Sequence, residues 1–157
     1  MSIDIVSIEG GLDSLDLQRI ATYTKKLTDI GSSFNKMLAP NYLRDFIIGY
    51  DISSVMLAKA IEYEIKAKAA LETAEAIAYL DKAPEYFKLK NEKPTVESRK
   101  AYVSLDSDVQ KAKEVYARSV AMCSLLKNKV QEFKHAIEVT RDLSRDGYST
   151  PYEGMRS

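Results

Sequence analysis

From Tyr102, alternating steps of three and four residues land on Leu105, Val109, Ala112, Tyr116, Ser119, Cys123, Leu126, Val130, Phe133, Ile137 and Thr140, with no glycine or proline between them. That spacing predicts one helix over residues 95–143 with a single a/d seam. Unbroken, it would be roughly 70 Å long, more than a small domain can cover, so it needs a partner from this chain or from another copy. Val109, Tyr116, Leu126, Val130, Phe133 and Ile137 are the seam positions expected to carry self-association.

The rest of the chain is organised around that helix. Residues 51–80 are rich in strong helix formers and carry a small-residue seam, Met56, Ala60, Tyr63, Ala67, Ala70, Ala74 and Ile77, which suits close packing in a hairpin. A turn is expected from Asp81 to Pro94, where Pro94-Thr95 reads as a stop followed by a cap. Upstream, residues 12–50 form an N-terminal helical region, with a helix start at Asp13 or Ser14, a stop at Gly31, a break at Pro40 and an interruption at Gly49. Residues 1–11 alternate Ile3, Ile5 and Ile8 with polar residues and end on Gly10-Gly11, which reads as a mobile arm. Residues 146–157 lack periodicity and read as a flexible tail. The expectation is therefore an all-α single domain over 1–145: a long antiparallel helical hairpin, an additional N-terminal helix, and a coiled-coil-like assembly helix on the C-terminal side.

Charge changes this picture only locally. The 23 basic and 23 acidic residues cancel, which argues against a surface that is one large nucleic-acid or membrane footprint. The amino end is acidic, with Asp4, Glu9, Asp13 and Asp16, whereas Lys82, Lys88, Lys90, Lys93, Arg99 and Lys100 make the middle basic. One cysteine excludes an internal disulfide, and no segment approaches the ~20 apolar residues of a membrane span. Neither a signal peptide nor a membrane partner is expected.

Candidate chemistry is sparse. Glu132 and His135 have Glu-x-x-His spacing, but di-iron bundles use that motif twice and the chain has one histidine. No Cys-x-x-Cys and no Gly-rich phosphate loop occurs, so no enzyme, metal or cofactor is expected. The lysines say more. Tyr86 and Phe87 interleave with Lys82, Lys88 and Lys90, the combination that holds single strands by stacking and phosphate contact, although the same residues can close a hairpin. Lys66 and Lys68 bracket Ala67, about 200° apart on a helix. Lys113, Lys127, Lys134 and Arg141 line one edge of the seam, where coiled coils ordinarily carry solvated charges.

Three stretches, Asp13-Ser-Leu-Asp-Leu-Gln18, Ile65-Lys-Ala-Lys68 and Tyr102-Val-Ser-Leu-Asp-Ser-Asp-Val109, resemble in order and spacing the UvsY-type recombination mediator proteins of tailed phages. The resemblance implies a ring-like homo-oligomer that binds single-stranded DNA and helps load a RecA-like recombinase onto strands covered by single-strand-binding protein, in the cytoplasm of the host cell. A Leu-Lys-Ala-Arg-Leu-like motif of that family falls on Lys66, Ala67 and Lys68. Ile65, Lys68 and Ala69 depart from it, and lysine offers phosphate a point charge where arginine offers a fork. Lys66 and Lys68 are thus the first DNA-binding candidates, and Tyr86, Lys88 and Lys90 the second. The competing reading is a structural or scaffolding coiled-coil protein of a phage, in which these lysines are solvated flanks.

Overall fold

A computed structural model describes residues 5–31 and 34–145. Among them 91% are helical and none is in a strand, so the fold is all-α. The helices are α1 (Ile5–Asp13), α2 (Leu17–Gly31), α3 (Ala39–Ile77), α4 (Ala83–Leu89), α5 (Val96–Leu105) and α6 (Ser107–Arg145). No helix among the described residues is long and apolar enough to cross a membrane. The arm expected over residues 1–11 is described only from Ile5 onward, and the tail expected over 146–157 lies outside the described residues.

Where one domain is expected over 1–145, the chain divides into two compact units. The first contains residues 5–15 and Ala58–Ser124, the second residues 16–31, 34–57 and 125–145.

In the first unit, α1 replaces the extended arm. Its Ile8 and Leu12 are buried together with Leu15, an i, i+4 pairing that helical geometry alone provides. Gly11 does not end the segment. A Cβ there would stand 2.2 Å from Cζ of Tyr63, so the glycine lets α1 approach the α3 tyrosine. Ala60, Ala67, Ala70, Ala78 and Ala83 are buried, as are Val109, Ala112, Val115, Ser119 and Cys123 of α6. Lys82 meets Asp106 and Asp108, while Glu75 meets Lys113. Numbers falling on one side as they rise on the other make this part of α3 and α6 an antiparallel pair. Arg118 ties Asp13 to α6.

The turn expected over Asp81–Pro94 is mostly helix. Helical backbone continues from Lys36 to Leu89, 54 residues, through a π-helical turn at Ala78–Lys82 in which the Ala83 N–H reaches back to the Ala78 carbonyl. Pro84 explains the widening, since it has no N–H to give and its ring crowds the preceding turn. The reversal itself begins at Asn91, whose φ of 56° is left-handed. Asn91 N–H bonds Lys88 O and Glu92 N–H bonds Phe87 O, closing α4 as a Schellman motif. Thr95 and Ser98 then form a capping box for α5.

The uninterrupted helix expected over residues 95–143 is broken once. Asp106 is extended, at φ −65° and ψ 130°, and its Oδ1 accepts from the N–H groups of Asp108 and Val109. An aspartate that caps the next helix this way competes with continuation of the previous one. Leu105, expected on the seam, is consequently 82% exposed.

In the second unit, Asp16 caps α2 by accepting from Arg19 N–H, and Lys26 of α2 pairs with Asp45 of α3 at 2.8 Å. Neither Pro40 nor Gly49 interrupts α3. Pro40 stands in the first turn, where a missing donor costs nothing. Gly49 is buried against Phe133, and the buried Ser53 hydroxyl donates to its carbonyl. Ile20, Phe46, Met56, Leu126, Phe133 and Thr140 complete this core.

Candidate nucleic-acid interface

The first unit carries a basic, aromatic surface on α4 and α5. Helix α4 is amphipathic over a short span: Ala83 is buried, while Lys88, Leu89 and Lys90 are exposed. Tyr86, 39% exposed, is held from two sides. Phe87 meets it edge-on at 5.2 Å between centroids, and Tyr102 of α5 meets it tilted at 5.1 Å. The Lys90 ammonium lies 4.5 Å from the Tyr86 centroid, a cation–π contact. Hydrogen bonding to the Tyr86 side chain, then its charge, raises the Lys90 pKa above the ordinary lysine value.

Among the described residues no carboxylate lies within ion-pair distance of Lys88, Lys90 or Lys93. Lys82 differs. It bonds Asp108 at 2.5 Å and Asp106 at 3.0 Å, and hydrogen bonds to those two carboxylates hold its pKa up. Lys82 is a structural cation that fixes the α5–α6 break, and the sequence does not separate it from its exposed neighbours.

The first pair of candidates is placed differently. Lys66 and Lys68 are both exposed on α3, and Lys68 lies about 27 Å before Tyr86 along the same helical run. Lys66 is engaged already: it pairs with Glu62 at 2.5 Å and stands 5.7 Å from the Tyr63 ring centroid. Tyr86 and Lys88 lie on α4 and Lys90 is its C-cap, whereas Lys66 and Lys68 stand apart on α3.

Tyr102 is a residue that sequence reasoning placed elsewhere, at the start of the seam. Its half-buried ring supports Tyr86. The three-residue step from Arg99, whose guanidinium covers Tyr79 at 5.6 Å, was the available signal for an aromatic and basic face on α5.

The seam residues assigned to self-association are turned inward. Val109, Leu126 and Phe133 are 0% exposed within the chain itself, and Tyr116, Val130 and Ile137 are half-buried. Val109, Leu126 and Phe133 are thus already covered within the chain. Glu132, spaced for a metal with His135, instead accepts from Lys129 at 2.7 Å. Compared with family models, with curated proteins and with solved structures, the chain matches none.

Proposed function

We propose that this protein binds single-stranded DNA through α4, acting as a homo-oligomeric recombination mediator that helps load a RecA-like recombinase onto strands covered by single-strand-binding protein. The observation that carries the binding step is the Tyr86 ring, buttressed by Phe87 and Tyr102, with the Lys90 ammonium 4.5 Å from its centroid and the exposed Lys88 on the same helix. A supported ring gives bases of any identity a stacking partner, and unpaired lysines beside it neutralise phosphates. The mediator step rests on the sequence resemblance. Self-association in this reading falls to exposed apolar residues of α3, Ile61 and Ile65, since Val109, Leu126 and Phe133 of the α6 seam are buried within the chain.

The test is fluorescence anisotropy of labelled oligo-dT across a salt series. Binding should weaken steeply with salt, and Tyr86→Ala and Lys88→Ala/Lys90→Ala should each weaken it while leaving the helical circular dichroism intact. No binding at low salt by the folded protein would overturn the reading. The scaffold alternative has its own support in the Lys66–Glu62 pair, the solvated flank expected of a structural helix, and it predicts that null result.

A further inference from the structure

On the other flank of α5 the first unit has a second basic feature, a cleft of about 410 Å³ lined by Glu75, Tyr79, Lys100, Val103, Ser104 and Lys113. Lys100 and Ser104 each lie about 200° around α5 from Tyr102, so the cleft is distinct from the Tyr86 surface. Three helical segments form it: the end of α3 with the π turn, α5, and the first turns of α6. The Thr95 capping box and the Asp106 break fix both ends of α5, which presents Lys100 and Val103 to the same cleft as Tyr79.

The chemistry of the walls is specific. Lys100 and Lys113 supply two cations. The only carboxylate in the lining is Glu75, 3.7 Å from Lys113, with the pair 42% and 44% exposed. A long, solvated ion pair of that kind is worth little, so an incoming phosphate displaces Glu75 from Lys113 at small cost. Glu75 is then an acceptor for sugar hydroxyls or base N–H groups. Tyr79 and Val103 give the cleft an aromatic and an apolar wall, and its volume lies in the range of small-ligand sites.

We propose that this cleft binds a nucleoside phosphate, with the phosphate on Lys100 and Lys113 and the base along Tyr79 and Val103. The same chemistry is offered by a free nucleotide and by one unit of a single strand, and the experiment separates them. Amide resonances of the full chain are followed by NMR during titration with inorganic phosphate, thymidine 5′-monophosphate, ATP and oligo-dT. The expected result is saturable shifts at Val103, Ser104 and Lys113 with a nucleotide or oligo-dT, and weaker ones with phosphate alone. Lys100→Gln/Lys113→Gln should reduce that affinity about tenfold, the loss of charge-assisted phosphate contacts.

Stronger shifts with ATP or the monophosphate than with oligo-dT assign the cleft to a free nucleotide, and the reverse assigns it to a strand. Lys88→Ala/Lys90→Ala is the control for the α4 surface. Loss of oligo-dT binding there with nucleotide shifts retained at Val103 keeps this proposal independent of the α4 reading. Absence of saturable shifts at the cleft with every probe, or shifts that the glutamine variant leaves unchanged, overturns it. Both lysines are exposed, so the double variant should fold, as circular dichroism will show.

Discussion

The Phe133 ring occupies the space that a side chain at position 49 would need: a Cβ built on Gly49 would stand 2.5 Å from Cε1 and 2.6 Å from Cζ of Phe133. A glycine in the middle of α3 is therefore a packing residue, although the same glycine in isolation weakens a helix.

Two effects compete in Gly49→Ala. Helix propensity favours alanine by about 1 kcal/mol, whereas forcing a fully buried ring aside costs about 1–3 kcal/mol. Phe133 is 0% exposed, so the variant should be net destabilised, by up to about 2 kcal/mol. Urea unfolding measures this, and Phe133→Leu in the Gly49→Ala background should recover part of the loss. A Gly49→Ala protein more stable than its parent would contradict the packing. The matching change at Gly11 should cost less, because the Tyr63 ring it meets is only half-buried and can swing outward.

These glycines also show what the sequence reveals and what it conceals. The heptad on α6 and the alanine seam on α3 are local periodicities, and most of each is buried: Val109, Ala112, Ser119, Cys123, Leu126, Phe133 and Thr140 on α6, and Met56, Ala60, Ala67 and Ala70 on α3, whereas Ile77, expected on the same seam, is exposed. Gly11 and Gly49 read as punctuation because the rings that require them lie 52 and 84 positions away in sequence. The Asp106 break was locally legible, since Asp-Ser-Asp-Val is a capping sequence, but an unbroken apolar pattern on either side masked it. For the candidate interface, Tyr86, Lys88 and Lys90 are neighbours in sequence, and the Lys90 ammonium lies against the Tyr86 ring. It could not show that Tyr102 supports Tyr86, or that Lys82 is bound to Asp106 and Asp108.

Asp106 should make stability depend on pH in a defined direction. Burial raises its pKa, but the Lys82 hydrogen bond, the Val109 and Asp108 N–H groups and the Lys82 charge outweigh burial, and the net shift is downward from 3.8. A carboxylate with a depressed folded pKa contributes stability above its unfolded value and loses it as pH falls through the folded one. Asp106→Ala should therefore cost about 1 kcal/mol at pH 7, the worth of an N-cap. The difference from the parent should shrink below pH 4 in paired urea titrations. Lys82, whose pKa is raised above 10.5, keeps its contribution at neutral pH and loses it only as pH rises through its folded pKa.

Asn91 should respond to substitution according to backbone conformation alone. It is exposed and its φ is 56°, a region that glycine enters freely and β-branched residues resist. Asn91→Gly should be close to neutral. Asn91→Val should lower stability by about 1–2 kcal/mol, seen as a lower thermal midpoint. Equal midpoints for the glycine and valine variants would show that the α4 cap does not form.

The salt dependence of oligo-dT binding should distinguish the two lysine pairs. A lysine that meets phosphate releases a counterion and adds about one unit to the slope of log K against log salt. Lys88 and Lys90 have no carboxylate partner within ion-pair distance among the described residues, and Lys90 lies 4.5 Å from the Tyr86 ring centroid. Lys66 already has Glu62 at 2.5 Å, and hydrogen bonding to Glu62, then its charge, raises the Lys66 pKa. Lys66 and Lys68 also stand apart from the Tyr86 ring, Lys68 about 27 Å before it along the same helical run. Lys88→Ala/Lys90→Ala should flatten the slope by about two units, whereas Lys66→Ala/Lys68→Ala should leave it nearly unchanged. The opposite ranking would move the strand from α4 to α3 and restore the motif-based assignment.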